Sequence, residues 1–285
     1  MLTAQLTAVT RARLRRLDQT YRIATASMRA LPDFLIIGES KCGTTSLYDD
    51  IVEHPSVLPA ATKEIQFFSA HFHRGLDWYR AQFPLEWRMR RDGNRNGRFQ
   101  TGEASPYYLS HPLAPQRIQT VLPSVKAIAM LRNPIDRAYS QYQHEVRRNR
   151  ETLSFGDAVA REPERLLGER ERMTRDGRYK SREHRRHAYL ARGVYVDHLR
   201  TWCETFDRRQ VLVIRSEDYF AAPDATLRQI FEFLELPAWM PPRFAKKNVG
   251  EYSPIDPQIR KALADYFAPH NARLADFLGV DYGWQ

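Results

Sequence analysis

The chain has 285 residues, 42% hydrophobic and 27% charged, which is enough apolar material for one large α/β domain or two small ones under a polar surface. Its longest apolar runs, such as Phe34-Leu35-Ile36-Ile37, are far too short to span a bilayer, and residues 1–30 lack the apolar stretch and cleavage site of a secretory signal. A formal net charge of +10 favours anionic partners, and two cysteines, Cys42 and Cys203, exclude a disulfide framework and a zinc site, fitting a reducing, cytoplasmic setting.

In chain order, residues 1–30 read as a basic helical extension. Leu6, Val9, Leu14, Leu17 and Tyr21 recur at roughly helical spacing among Arg11, Arg13, Arg15 and Arg16. Such a segment either rests on a membrane surface or packs on its own domain or a partner subunit, and packing is the preferred reading. Residues 31–285 then form the domain proper. Phe34 to Ile37 is a short buried strand, leading through a Gly/Ser/Thr-rich loop into a helix that includes Leu47 to Val52. Residues 88–98, rich in Arg, Asn and Gly, read as an exposed loop. Val125 to Leu131 is a second strand, stopped by Asn133-Pro134, with a helix expected from Ile135 to Arg148. Residues 161–187 are dense in Arg and Glu and read as a solvated helix pair or a mobile lid. Val211 to Ile214 is a third strand before a helix from Ala225 to Leu234. Strands alternating with helices predict an α/β fold, a single domain with a central parallel sheet flanked by helices.

The loop Gly38-Glu39-Ser40-Lys41-Cys42-Gly43-Thr44-Thr45-Ser46 lies between strand and helix, where loop amides and the helix N-terminus point at an anion. Lys41 adds a full positive charge that can follow an oxygen as it becomes negative. The nucleotide-triphosphate loop G-x-x-x-x-G-K-[ST] differs in two respects. Here Gly43 is followed by Thr44, the lysine having moved to position 41, and the second strand ends in Leu131-Arg132-Asn133-Pro134 with no acid to hold magnesium. A cation at Arg132 suits a further phosphate better than a metal, which counts against a kinase or NTPase.

With these residues in view, the sequence resembles the sulfotransferase superfamily, and within it the heparan sulfate sulfotransferase-like branch of the glucosaminyl N-sulfotransferases. Lys41 to Ser46 is similar to that family's 5′-phosphosulfate loop, and Leu131 to Ser140 to its 3′-phosphate segment. Lys63-Glu64-Ile65-Gln66-Phe67-Phe68, Gly75-Leu76-Asp77-Trp78-Tyr79, Tyr142-Gln143-His144 and Arg192-Gly193-Val194-Tyr195 extend the likeness in order, and it reaches Leu278-Gly279. The resemblance implies a P-loop NTPase-like sulfotransferase fold, 3′-phosphoadenylyl sulfate as donor, and direct in-line transfer without a metal to a hydroxyl or amine, with a carbohydrate the expected acceptor. It implies that Lys41, Glu64 and His144 are catalytic, Glu64 as the base and Lys41 on the leaving phosphate. It also implies that Ser40, Lys41, Cys42, Gly43, Thr44, Thr45, Ser46, Arg132, Ser140, Tyr195, Lys247, Asn248 and Gly250 bind the donor.

Some residues keep two readings. Glu103, in Thr101-Gly102-Glu103-Ala104-Ser105-Pro106, is a second candidate carboxylate, with Ala104 where the glycan enzymes often carry a lysine. Trp78 and Tyr79 either line a sugar site or pack in the core. Cys42 is either reactive or a small-residue filler. His71 and His73 lack a third metal ligand. The acceptor wall is expected from residues 69–110 and 161–190. A P-loop kinase or NTPase, and a non-catalytic nucleotide-binding relative, are the competing readings. Nucleic acid is not an expected partner, because the basic charge is scattered and no recognition module is visible.

Overall fold

The computed structural model describes residues 17–90, 99–244 and 253–284. Five strands, β1 (Phe34–Gly38), β2 (Val57–Pro59), β3 (Gln100–Ala104), β4 (Lys126–Leu131) and β5 (Val211–Arg215), form one parallel sheet in the order β2-β3-β1-β4-β5. Alternate side chains of each strand enter opposite layers. Leu35 and Ile37 of β1 and Ala127, Ala129 and Leu131 of β4 join one core with Phe67, Phe68, Tyr108, Trp202 and Phe267. Phe34, Ile36, Ile128 and Met130 join the other, with Leu47, Ile51, Leu227 and Phe231. Both faces are therefore covered, as the continuous apolar runs of β1 and β4 require.

The chain runs from β1 outward to β2, returns to β3 beside β1, and then crosses to β4 and β5 on the other side. That reversal of direction opens a crevice beyond the strand C-termini, the usual ligand position in such sheets. Helix Thr44–Val52 follows β1 and helix Pro134–Arg147 follows β4. Asn133 caps the second of these by accepting the Ile135 N–H at 3.0 Å, and Pro134 begins it. The strands and helices read from apolar runs thus recur with ends moved by a residue or two.

Two strands were not expected. β2 has three residues, and β3 reads Gln-Thr-Gly-Glu-Ala, with Thr101, Gly102 and Glu103 buried although none of them is apolar. Gly102 lets β3 approach β1, since a Cβ there would lie 2.4 Å from the Phe34 ring. Residues 161–187 hold one helix more than the expected pair, and the segment is anchored at several buried points. The three short helices are Glu162–Leu166, Glu169–Arg175 and Arg182–Arg186. Glu162 is buried and accepts the Leu190 and Ala191 N–H groups at 2.7 and 2.8 Å, Arg165 binds Glu151 at 2.6 Å, and Met173 and His184 are buried. Polar side chains that satisfy backbone and one another can anchor a segment with few apolar residues.

Residues 17–24 are helical, and the rest of the expected N-terminal helix lies outside the described residues, as do residues 91–98 of the expected loop. Leu17 and Tyr21 are exposed, and the segment is held instead by Arg22 on the Ala81 carbonyl and Arg29 on the Phe83 carbonyl, at 3.3 and 2.8 Å. Among the described residues no helix is long and apolar enough to cross a membrane. Gly102→Ala should destabilise the fold by about 1–3 kcal/mol through overpacking against Phe34, read as a lower urea midpoint with an unchanged slope.

Candidate active site

The C-terminal ends of all five strands feed a cavity of about 1180 Å³. After β1 come Ser40, Lys41 and Gly43, then Thr44, Thr45 and Ser46 at the start of helix Thr44–Val52, and all six line it. Glu64 and Gln66 follow β2, Pro106 and Tyr107 follow β3, Arg132 follows β4, and Ser216 and Glu217 follow β5. Helix Pro134–Arg147 contributes Ser140 and His144 from successive turns of one face.

No side chain caps the N-terminus of helix Thr44–Val52, so its first amides are free to receive an anion. Gly43 stands there with φ 90°, a left-handed conformation that favours glycine, and a Cβ there would press on the Phe220 ring at 2.7 Å. Lys41 also has positive φ, 73°. Its Nζ lies 3.5 Å from His144 Nδ1, and Arg132 donates to the Lys41 carbonyl at 3.3 Å. Burial lowers the Lys41 pKa from its ordinary value, and the charges of Arg147 and Arg148 lower it further. Burial and the neighbouring Lys41 and Arg148 push His144 down to about 4, so it is neutral near pH 7 and accepts from the lysine. Both shifts come first from burial and then from neighbouring cations, and a bound anion would oppose the second part.

Beneath the loop, Glu39 is fully buried and ion-paired with Arg192, itself 2% exposed. Burial alone would raise the Glu39 carboxyl, but the charges of Arg192 and Arg137 and the Arg192 and Ser40 hydrogen bonds outweigh it and hold the carboxyl below its usual range. Ser40 N–H donates to Glu39 Oε1 at 2.6 Å. Arg192 also donates to Ser40 Oγ and to the Arg185 carbonyl, both at 2.8 Å, and its guanidinium lies 5.1 Å from the Tyr107 ring centroid. One arginine thus ties the loop to the helix Arg182–Arg186 and to the turn after β3.

Glu64 lies on the cavity wall, exposed, with Gln66 Nε2 donating to its carboxylate at 3.1 Å. Glu103 does not line the cavity. It is fully buried, accepting from Tyr79 at 2.8 Å, Tyr108 at 3.1 Å and Ser105 at 2.7 Å. It therefore does not compete with Glu64 for contact with a ligand.

Other expectations are corrected in the same way. Cys42 is buried off the wall, and burial pushes its thiol up to about 12, so it is a packed, unreactive residue whose carbonyl accepts from Ser216 at 2.7 Å. Tyr195 is also buried behind the wall and holds the Arg132 carbonyl at 2.8 Å. Tyr79 stacks on Phe67 at 4.5 Å and Trp78 packs beside them, so this pair belongs to the core and not to the cavity. Lys247, Asn248 and Gly250 lie outside the described residues. Sequence reasoning did not single out Glu39, Arg192, or the arginines Arg147, Arg148 and Arg150 that line the cavity, whereas Tyr107, Arg185 and Arg186, which also line it, fall within the ranges 69–110 and 161–190 expected there. An acid directly after an apolar strand was the available signal for Glu39, because a carboxylate at that depth needs a cation.

A doubly covered parallel sheet, a strand–loop–helix anion site and a cationic crevice define a P-loop-like group-transfer enzyme. The chain belongs to the sulfotransferase domain family, whose pattern matches residues 31–248. A crystal structure of a sulfotransferase from Alicyclobacillus acidocaldarius is similar at 34% identity and a TM-score of 0.66, over 88% of this chain and 97% of that one. The membrane-associated sulfotransferase kil1 of Dictyostelium discoideum is 24% identical over 90% of this chain and 67% of its own length. The human bifunctional heparan sulfate N-deacetylase/N-sulfotransferase 3 is 29% identical over 87% of this chain, which spans only 30% of that protein. The protein is therefore a sulfotransferase.

The Glu39–Arg192 pair gives a direct test of this architecture. Arg192→Met should cost about 3–5 kcal/mol by leaving a buried carboxylate unpaired, and adding Glu39→Met should recover most of it in a urea-denaturation cycle.

Proposed function

We propose that the protein transfers a sulfuryl group from 3′-phosphoadenylyl sulfate to a hydroxyl or amine of a carbohydrate, directly and in line. One observation carries the reading: a single cavity wall joins two anion sites. The first is the loop and helix N-terminus with Lys41, the second is Arg132 with Ser140, and Glu64 lines the same space. A donor with a 5′-phosphosulfate and a separate 3′-phosphate matches that pair. The acceptor oxygen or nitrogen attacks sulfur as its proton passes to Glu64. The bond from sulfur to the bridging oxygen breaks, and that oxygen leaves with the electron pair on adenosine 3′,5′-bisphosphate. Lys41 and the loop amides stabilise the charge that develops there, and neutral His144 orients Lys41. Arg132 at the end of β4, where an NTPase would carry a metal-holding acid, disfavours the kinase reading.

The acceptor reading draws on the heparan sulfate relatives and on the arginines that line the cavity. Arg147, Arg148, Arg150, Arg185 and Arg186 favour a sugar that carries acidic groups.

Lys41→Ala should lower turnover by about 10²–10³-fold, as loss of an oxyanion-stabilising group does. Glu64→Gln should lower it by about 10²–10⁴-fold, the usual contribution of a general base. Both variants should keep the wild-type urea midpoint. The assay is transfer of labelled sulfate from the donor into a glycan library with identification of the labelled product, and wild-type turnover in either variant refutes its assigned role.

A further inference from the structure

Glu64 and Gln66 both have φ 52°, a left-handed conformation that residues with a Cβ keep only when their surroundings over-determine it. Three consecutive backbone N–H groups supply that determination, and all point at residues 103–105. Glu64 N–H donates to the Ala104 carbonyl at 3.2 Å. Ile65 N–H donates to the Glu103 carboxylate. Gln66 N–H donates to Ser105 Oγ at 3.0 Å, and Ser105 donates in turn to Glu103 Oε2 at 2.7 Å. The turn is thus pinned to the end of β3 by three successive amides, the middle one donating directly to the buried Glu103 carboxylate and the third reaching it through Ser105. Tyr79 and Tyr108 complete the set of donors on its other oxygen.

The geometry points to Glu103 as a positioning residue for sulfuryl transfer: its ionised carboxylate holds the Glu64–Gln66 turn in the conformation that presents Glu64 to the acceptor. An ionised carboxylate accepts from all four donors at once, whereas a proton on it would turn one hydroxyl partner from donor to acceptor and break up that arrangement. Burial raises the Glu103 carboxyl to about 7, against the pull of Ser105, Tyr79, Tyr108 and the Ile65 N–H, so the turn should loosen as pH falls through that range. The titratable groups facing it are Tyr48, Tyr79 and Tyr108, all raised by burial and neutral there.

The inference rests on Glu64 acting as the base, and the test separates the two claims. In Glu103→Gln, kcat should fall by about 10- to 100-fold, the scale of a misplaced catalytic group, while the affinity for adenosine 3′,5′-bisphosphate is unchanged. Wild-type kcat should rise with pH through about 7, and Glu103→Gln should lose that acid limb. Ser105→Ala removes a hydrogen bond that favours the ionised form, so its limb should move to higher pH, and this variant carries the test if Glu103→Gln does not fold. Wild-type kcat or an intact limb in Glu103→Gln, joint loss of bisphosphate affinity, or an unmoved limb in Ser105→Ala would each overturn the proposal. A fully active Glu64→Gln would instead remove the base itself.

Discussion

A carboxylate lies directly under a loop built to receive anions, and the Arg192 guanidinium makes that arrangement workable. Left unpaired, Glu39 would oppose any phosphate arriving above it, at a depth where water screens little. Paired, it becomes a rigid acceptor that fixes Ser40 N–H while Arg192 fixes Ser40 Oγ. The same arginine reaches the Arg185 carbonyl and the face of Tyr107, so the loop after β1, the turn after β3 and one wall of the crevice share a single anchor. A buried ion pair is weak evidence for net stability, and its value here is geometric.

Above that neutral base the crevice is strongly positive. The lowered pKa of Lys41 and of His144 records the cost of crowding cations in a partly dry space. That cost is recovered when an anionic ligand enters, which makes ligand binding and protonation of Lys41 mutually reinforcing. Glu64 stands on the wall of the same cavity, with the side-chain amide of Gln66 donating to its carboxylate.

Much of this was legible in the sequence. The apolar runs of β1, β4 and β5 announced a parallel sheet, and the displaced Lys41 with Arg132 at the end of β4 distinguishes the loop from that of an NTPase. β3 was not legible, because its burial depends on Gly102 admitting the Phe34 ring and on Glu103 finding four donors, neither of which leaves a hydrophobic pattern. Tyr195 and Cys42 were assigned to the ligand because they sit in motif-like stretches, yet they act one layer behind the wall. Residues 161–190 were expected to contribute to the cavity wall, and Arg185 and Arg186 do, but the convergence of Arg147, Arg148 and Arg150 on the same cavity arises only through tertiary packing.

The two-site reading of the donor wall is open to one direct measurement, calorimetric titration without added metal of adenosine 3′,5′-bisphosphate against adenosine 5′-monophosphate. Arg132 and Ser140 should make the bisphosphate bind at least about tenfold more tightly, roughly one charge-assisted hydrogen bond's worth of affinity. Equal affinity for the two nucleotides, or preference for ATP only when magnesium is present, would contradict a sulfate-donor site.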